Sequence, residues 1–425
     1  MGQNMLKSLT IKNFKSIKHA ELSFGRANIF IGANGAGKSN ILEALGILSS
    51  ALSRGLDSPI IADRGVRLSL PHLFKSSFKN TSLSPHFRLE AQFENGHYEC
   101  SIRSGLNRNF LEFHSEALYD GQVKVFGRSP NGIKINKNMI DLDVGDFRGT
   151  GASRSLWDII SPFCTISDKL RQELDEFSRF VIYAPQTAVM RGLAIETRVI
   201  KPLGLAGSGL AAAFQDVLTR RRGMKENERK KYEGLLSLIS KPGWVQGVRV
   251  RGYDPKIVPP EVSSEGLLLY FKDRYMTEKR NDLSPYDASE GTLYLTFVAT
   301  LLLHKQAPKA FGLDNVDGTL NPDLVRELTD TVVSVCSSGN PFSEEKQQAF
   351  LTSHHPSSID SFDIFNSSHR IFSVTRDERS NGRTKFTPIL PPEGFSKSAW
   401  IKQKRGKNLS QLWLEGKIPG ALNNG

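Results

Sequence analysis

The stretch GANGAGKSN, residues 32–40, decides how this chain is organised. It fits the pattern G-x-x-x-x-G-K-[ST] at every fixed position, and the apolar run ANIFI, residues 27–31, leads into it. The helix-forming sequence ILEALGILSSAL follows directly. A strand, a glycine-rich loop and a helix in this order predict a loop that binds phosphate groups.

Each position of this loop has an expected task. Glycines let the backbone turn tightly and aim its N–H groups at phosphate oxygens, and the following helix N-terminus adds positive potential. Lys38 is expected at the β and γ phosphates of ATP, and the Ser39 hydroxyl is expected on Mg²⁺. The alternative is a glycine turn before an ordinary helix. The predicted nucleotide-binding residues of the loop are Asn34, Gly35, Ala36, Gly37, Lys38, Ser39 and Asn40.

Three motifs in the last third of the chain indicate the rest of the site. Ser289 precedes Glu290 and Gly291 at the start of a predicted helix, where backbone N–H groups are free to meet an anion. The apolar run 310–313 ends in Asp314, the place for a Mg²⁺ ligand. The run 349–353 ends in His354, which can sense a γ phosphate. Each motif alone is common, and a histidine before a turn is more often structural. Their order predicts one nucleotide site.

The bulk composition is that of a globular protein with two or three lobes. The chain has 425 residues, of which 39% are hydrophobic and 24% charged. Its three cysteines are widely spaced, which predicts neither a metal site nor a disulfide framework and favours a reducing compartment. With no apolar leader and no apolar run long enough for a membrane span, a cytoplasmic protein without membrane contact is expected.

The net charge of +12 favours acidic partners. Two segments carry much of this positive charge. Residues 220–231 hold seven basic and two acidic residues, and residues 397–407 hold five basic and no acidic residues. Both are candidates for non-specific nucleic-acid contact through phosphates. The alternative for each segment is a solvated helix face.

Four regions are predicted along the chain. Residues 1–55 carry two short strands and the phosphate loop. Residues 56–155 carry a β-rich arm and loops, with a hairpin around Asn95-Gly96, and residues 156–283 form a helical lobe with a basic segment. Residues 284–425 complete the nucleotide-binding head, with a second hairpin around Asn381-Gly382 and a basic tail.

The opening LKSLTIKNFKSIKHAELSFGRANIFIGANGAGKSNILEAL resembles the N-terminus of the SMC/RecF/OLD group of ABC-type AAA family ATPases. Residues 289–292 resemble the shortened signature motif of that group, residues 312–317 and 320–322 its Walker B and D-loop region, and residues 351–354 its switch-histidine strand. The resemblance covers residues 5–50 and 284–375. It is strongest to stand-alone ATPase subunits of bacterial anti-phage defence operons.

This resemblance implies an α/β P-loop head, with a mixed β-sheet flanked by helices, an antiparallel β arm and a helical insertion. It implies a homodimer or higher oligomer in which two protomers sandwich ATP and Mg²⁺. Ser289 and Gly291 then act on a partner's nucleotide, and His354 contacts the γ phosphate. Gln186 is either a Q-loop glutamine at the Mg²⁺ or attacking water, or an exposed loop residue. A separately encoded effector, such as a nuclease, is the implied partner.

The chain departs from the family pattern directly after Asp314. The usual catalytic glutamate is replaced by Asn315, and an amide cannot accept a proton from water. Either hydrolysis is slow and the protein is mainly a nucleotide-gated switch, or Asp317 and His354 together position the water. We expect slow but real hydrolysis. The predicted catalytic residues are Asp314, Asn315, Asp317 and His354. A RecF-like DNA-binding repair ATPase and a non-hydrolysing nucleotide-sensing scaffold are the alternatives.

Overall fold

A computed structural model describes residues 6–104, 110–142, 151–198, 200–220, 224–259, 266–339, 346–391, 393–404 and 406–418. In these ranges the strands are β1 (Ser8–Phe14), β2 (Ile17–Ser23), β3 (Ala27–Ile31), β4 (His86–Gln92), β5 (Gly96–Ser104), β6 (Leu111–Asp120), β7 (Val123–Ser129), β8 (Gly132–Ile135), β9 (Val181–Tyr183), β10 (Val245–Arg251), β11 (Leu268–Asp273), β12 (Asp282–Leu283), β13 (Ala310–Leu313), β14 (Gln348–Ser353), β15 (His369–Asp377) and β16 (Arg383–Pro388). The α-helices are α1 (Lys38–Ala51), α2 (Ser58–Ala62), α3 (Leu156–Ile160), α4 (Asp168–Phe177), α5 (Thr187–Met190), α6 (Leu210–Thr219), α7 (Glu226–Leu236), α8 (Glu290–Leu303), α9 (Pro322–Ser338), α10 (Lys397–Gln403) and α11 (Leu409–Leu414).

A six-stranded sheet of order β16-β15-β3-β14-β13-β9 brings the distant motifs together. Neighbouring strands from β15 to β9 are parallel, and β16 pairs antiparallel at the edge. β3 lies between β14 and β15, and all five of its residues are buried. Because the carboxyl ends of parallel strands meet at one edge, the segments after β3, β13 and β14 converge there. This is the α/β P-loop architecture that the sequence predicts.

A seven-stranded antiparallel sheet, of order β2-β1-β4-β5-β6-β7-β8, forms a second layer. The Asn95-Gly96 hairpin is present, since β4 ends at Gln92 and β5 begins at Gly96. The strands predicted as an inserted arm continue the sheet that β1 and β2 begin. β4 pairs with β1 from Ser8 opposite Gln92 to Lys12 opposite Arg88, which satisfies backbone groups that β1 would otherwise leave open at an edge.

Helix α1 packs against both sheets. Its apolar residues share one hydrophobic core with residues of the antiparallel sheet and with Phe30, Phe350 and Phe372 of the parallel sheet. Fully burying a side chain such as Leu45 or Leu48 stabilises by about 1.5–3 kcal/mol. The helix that starts at the phosphate loop is therefore a fixed element. Among the described residues, no helix combines the length and hydrophobicity that crossing a membrane needs.

Candidate nucleotide site

The predicted strand–loop–helix context of the phosphate loop is confirmed. β3 ends at Ile31 and α1 begins at Lys38, with Gly37 at the N-cap in the left-handed region at φ 101°. A Cβ atom on Gly37 would lie 2.3 Å from Thr384 Oγ1 in β16. Both the backbone conformation and this close approach require glycine.

Lys38 lies inside the loop. Its Nζ donates to the carbonyl oxygens of Gly32, at 2.8 Å, and Ala33, at 2.9 Å. Burial lowers the pKa of Lys38, while the carboxylates of Asp317 and Asp314 act in the opposite direction. The ammonium group is thus held on backbone carbonyls at the position where the sequence predicts a phosphate ligand.

Asp314 joins the phosphate loop to the neighbouring strands. Its Oδ1 accepts a hydrogen bond from Ser39 Oγ at 3.0 Å and another from Thr352 Oγ1 at 2.5 Å. All three residues line one cavity of about 430 Å³. A hydroxyl and a carboxylate at this spacing are the oxygen ligands that Mg²⁺ accepts beside nucleotide phosphates. Thr352 was not predicted as a site residue. It lies two residues before His354, and side chains two residues apart along a strand point to the same face.

His354 and Asn315 lie together at the edge of the same cavity. His354 Nδ1 is 3.3 Å from Asn315 Oδ1, and the Asn315 N–H donates to Thr352 Oγ1 at 2.8 Å. Asn315 has φ 58°, in the left-handed region that asparagine tolerates better than most residues. The structure therefore brings the residue that replaces the usual glutamate next to the predicted switch histidine.

Asp317 has a different position from the other predicted catalytic residues. Its side chain is 1% exposed and does not line the cavity. Its Oδ2 accepts from the backbone N–H groups of His354, at 2.9 Å, and His355, at 2.7 Å, and from Ser353 Oγ at 3.0 Å. It also lies 2.9 Å from His354 Nδ1. Asp317 thus holds the turn that carries His354.

Replacing Asp317 tests this arrangement. We expect Asp317→Ala to lower the free energy of unfolding by about 2–3 kcal/mol, because buried N–H groups lose their acceptor. Asp317→Asn keeps an acceptor oxygen and is the matched control, with a smaller expected loss. Urea denaturation followed by circular dichroism measures both. Equal losses for the two variants would contradict an acceptor role.

Two arginines that sequence analysis missed also line the cavity: Arg67 and Arg376. Arg376 Nε donates to the Gly35 carbonyl oxygen at 3.0 Å, and Arg67 pairs with the buried carboxylate of Glu43. Neither arginine belongs to a nucleotide-binding pattern, so nothing local in the sequence marks them. Together with Lys38 they bring three cationic side chains to a cavity whose described lining holds one carboxylate, that of Asp314.

Two family models match separate parts of the chain. The model described as "AAA ATPase domain" matches residues 5–173, and the model described as "AAA domain, putative AbiEii toxin, Type IV TA system" matches residues 220–360. The first contains the phosphate loop and the second contains the signature, Asp314 and His354. Both models describe AAA domains, and the mixed α/β fold agrees with them.

Curated relatives match this chain over short stretches. The DNA replication and repair protein RecF of Caulobacter vibrioides is 42% identical over 69 residues, which are 16% of this chain and 17% of that protein. RecF of Magnetococcus marinus is 49% identical over 49 residues, 11% of this chain and 13% of that protein. The chain therefore spans less than a fifth of the length of these relatives.

Solved structures that are similar include the SMC head domain from Thermotoga maritima, at 14% identity and a TM-score of 0.44, covering 91% of this chain and 99% of that one. Another is the recombination mediator protein RecF-ATPrS, at 14% identity and a TM-score of 0.35, covering 86% of this chain and 95% of that one.

The predicted signature residues are absent from the described lining of the phosphate-loop cavity. Ser289 is exposed and caps α8, and its Oγ accepts from the Thr292 N–H at 3.2 Å. A Cβ atom on Gly291 would lie 3.1 Å from Leu320 Cδ2, so the start of α8 packs against the segment that follows Asp317. Among the described residues that line the cavity, none comes from 289–292.

Gln186 is exposed and also absent from the described lining of the cavity. It follows β9, whose last residue, Tyr183, accepts a hydrogen bond from the Asp314 N–H at 2.9 Å. Gln186 therefore follows the strand next to the one that Asp314 follows. This position fits both a Q-loop glutamine and an exposed loop residue.

In both basic segments, some of the lysines pair with carboxylates. Lys230, on α7, pairs with Glu226 at 3.1 Å, and Arg221 and Arg222 lie outside the described residues. In the second segment Lys397 pairs with Asp363 at 2.6 Å and Lys407 pairs with Glu415, while Arg405 lies outside the described residues. Part of each predicted nucleic-acid contact is thus already occupied by carboxylates.

Proposed function

We propose that this protein binds Mg²⁺-ATP and hydrolyses it slowly, and that nucleotide-dependent assembly controls a partner effector. The observation that carries the proposal is the convergence of Ser39, Asp314 and Thr352 on the phosphate-loop cavity. Ser39 and Asp314 would hold Mg²⁺, which neutralises charge between the β and γ phosphates. Lys38 would leave its carbonyl partners for phosphate oxygens.

The same geometry supports slow rather than fast hydrolysis. Asn315 supplies no general base, and Asp317 is buried on the backbone of the His354 turn. Among the described residues that line the cavity, His354 is the one histidine. In this proposal His354 and Asn315 orient the attacking water by hydrogen bonding, and Asp317 holds His354 in place.

Restoring the carboxylate tests this account of the rate. We expect Asn315→Glu to raise the steady-state rate of phosphate release from ATP by about tenfold. This gain is smaller than the full effect of a general base, because the left-handed backbone at residue 315 strains a glutamate. Asn315→Gln has the same length without the carboxylate and should stay at or below the parent rate. Phosphate release by purified protein in Mg²⁺-ATP measures all three. An unchanged rate in Asn315→Glu would contradict the proposal that the missing base limits hydrolysis.

The proposal requires two copies of the chain. Ser289 is exposed, Gly291 is half-buried, and neither is in the described lining of the protomer's own cavity, so a second protomer can present them to a nucleotide bound at Lys38. Backbone N–H groups at the start of α8 would then meet the γ phosphate. A homodimer or higher oligomer that forms only with ATP follows from this arrangement.

The effector role has one line of support. The family model that matches residues 220–360 carries the description "putative AbiEii toxin, Type IV TA system". We propose an anti-phage setting in which the assembled ATPase holds or regulates a separately encoded effector such as a nuclease. Purification of the chain together with its natural neighbours, with and without ATP, tests whether such a partner binds.

The RecF matches support a second candidate, a DNA-binding repair ATPase. DNA-stimulated hydrolysis that disappears when Arg220, Arg221 and Arg222 are neutralised would favour it. A third candidate, a nucleotide-sensing scaffold, would be favoured by ATP-dependent assembly without ADP production. Measuring ATP binding, ADP production and DNA stimulation on one preparation separates the three.

A further inference from the structure

A second, larger groove adjoins the nucleotide cavity. Its volume is about 1450 Å³, and it shares Asn40, Arg67 and Arg376 with the nucleotide cavity. Much of its wall comes from residues 64–89, here called the 64–89 segment. An occupant of this groove would therefore touch residues that also face the nucleotide.

The 64–89 segment is strongly basic. It contains five lysines and arginines and no aspartate or glutamate. Two groove cations, Lys15 and Arg67, share a single buried carboxylate, that of Glu43. Lys75 and Lys79 have no carboxylate partner among the described residues, and Arg376 contacts only the carbonyl oxygens of Gly35 and Gly382. The groove thus keeps unbalanced positive charge.

The same segment exposes large apolar side chains. Leu68, Leu70, Leu73 and Leu83 are 62%, 60%, 54% and 71% exposed, and the last two line the groove. Exposed apolar side chains that cluster beside charges mark interaction surfaces.

The backbone that follows Leu73 is fixed to the rest of the protein. Phe74 is buried, its carbonyl oxygen accepts from the Lys15 N–H at 2.9 Å, and the Ser76 N–H donates to the Asn13 carbonyl oxygen at 2.8 Å. These contacts tie the segment to the turn between β1 and β2.

This combination selects one class of occupant. A nucleic-acid strand would use the cations and the rings of His72 and Phe78, which also line the groove, but it would leave the exposed leucines without a partner. A protein segment that carries carboxylates next to apolar side chains matches both features, with charges set against Lys75 and Lys79 and apolar groups against Leu73 and Leu83.

We infer that the groove docks an acidic, leucine- or phenylalanine-bearing segment of a partner protein, and that this docking is coupled to nucleotide through Arg67 and Arg376. The inference rests on the proposed effector-controlling function and names the surface that such a partner would use. Because both arginines line both cavities, a bound γ phosphate that draws either of them changes the docking groove as well.

The test uses the full chain and a short fluorescent peptide in which glutamates flank leucines, with binding measured by anisotropy first without nucleotide. We expect saturable binding that weakens about tenfold in Lys75→Glu/Lys79→Glu and about tenfold in Leu73→Ser/Leu83→Ser. The matched controls are Lys230→Glu/Lys231→Glu and Leu193→Ser/Ile195→Ser, at exposed residues outside the groove. Both controls should bind like the parent, and thermal unfolding confirms that all variants fold.

Three results would overturn the inference: no saturable binding of this peptide, equal binding of a peptide with glutamine in place of glutamate, or unchanged binding in the leucine variant. A single-stranded oligonucleotide is the competing probe. If it binds more tightly than the peptide and depends on Lys75 and Lys79 but not on the leucines, the groove is a nucleic-acid track.

Repeating the peptide titration with ATP tests the coupling, which should be absent in Lys38→Ala while nucleotide-free docking persists. The experiment therefore distinguishes a failure of ATP binding from a failure of peptide docking.

Discussion

Lys38→Ala is expected to lower ATP hydrolysis by about 10²–10³-fold, because the variant removes the cation that stabilises charge on the transferred phosphate. The loss should be seen as phosphate release in Mg²⁺-ATP, together with weaker binding of a fluorescent ATP analogue. The structure favours a large effect, since the Lys38 ammonium is buried among the loop carbonyls and no neighbouring lysine lines the cavity among the described residues.

The control for this variant is Lys18→Ala. Lys18 lies in β2, donates to Asn13 Oδ1 at 2.7 Å and does not line the cavity, so its removal tests the general effect of losing one surface lysine. The control should keep the parent rate. A hydrolysis rate that survives Lys38→Ala would mean that the measured activity does not come from this site, and would overturn the proposed ATPase function.

The second large effect is recovery on mixing two inactive proteins. Ser289→Arg places a bulky cation where the partner's nucleotide is expected, and the variant should be as inactive as Lys38→Ala. In an equal mixture of the two, half of the dimers are mixed, and each mixed dimer has one intact site of two. We therefore expect about a quarter of the parent rate to return.

Ser289→Ala is the control that separates the cap from the trans contact. It removes the Oγ that accepts from the Thr292 N–H and should cost about 1 kcal/mol of stability without blocking the partner site. Mixing at several ratios should give a maximum near equal amounts. If activity never rises above that of the separate variants, the signature does not act across an interface, and the two-copy site is wrong.

Much of the site is predictable from local sequence. The phosphate loop is recognised because a short apolar strand, three glycines and a helix-forming run stand next to one another, and each obeys local backbone rules. The β4–β5 hairpin is predicted for the same reason, from alternation on both sides of Asn95-Gly96. Asp314 and His354 were found by the order of their motifs, because both end buried strands.

Other features have no local signal. Arg67, Arg376 and Thr352 reach the cavity only because the sheet and the β15–β16 hairpin bring segments together that are far apart in sequence. The direction in which Asp317 points is likewise a tertiary property. Two backbone N–H groups and a hydroxyl from the next strand, β14, draw its carboxylate away from the cavity.

The sequence alone determined the nucleotide loop, the strands that end in Asp314 and His354, and the absence of the usual glutamate at Asn315, since these depend on residue type and close spacing. Only the tertiary structure decided that Ser39, Asp314 and Thr352 share one cavity, that Asp317 holds the His354 turn, and that Ser289 is absent from the described lining of that cavity. The physical reason is that strand order in a parallel sheet and the direction of buried polar groups are set by long-range pairing and by the need to satisfy every buried hydrogen-bonding group.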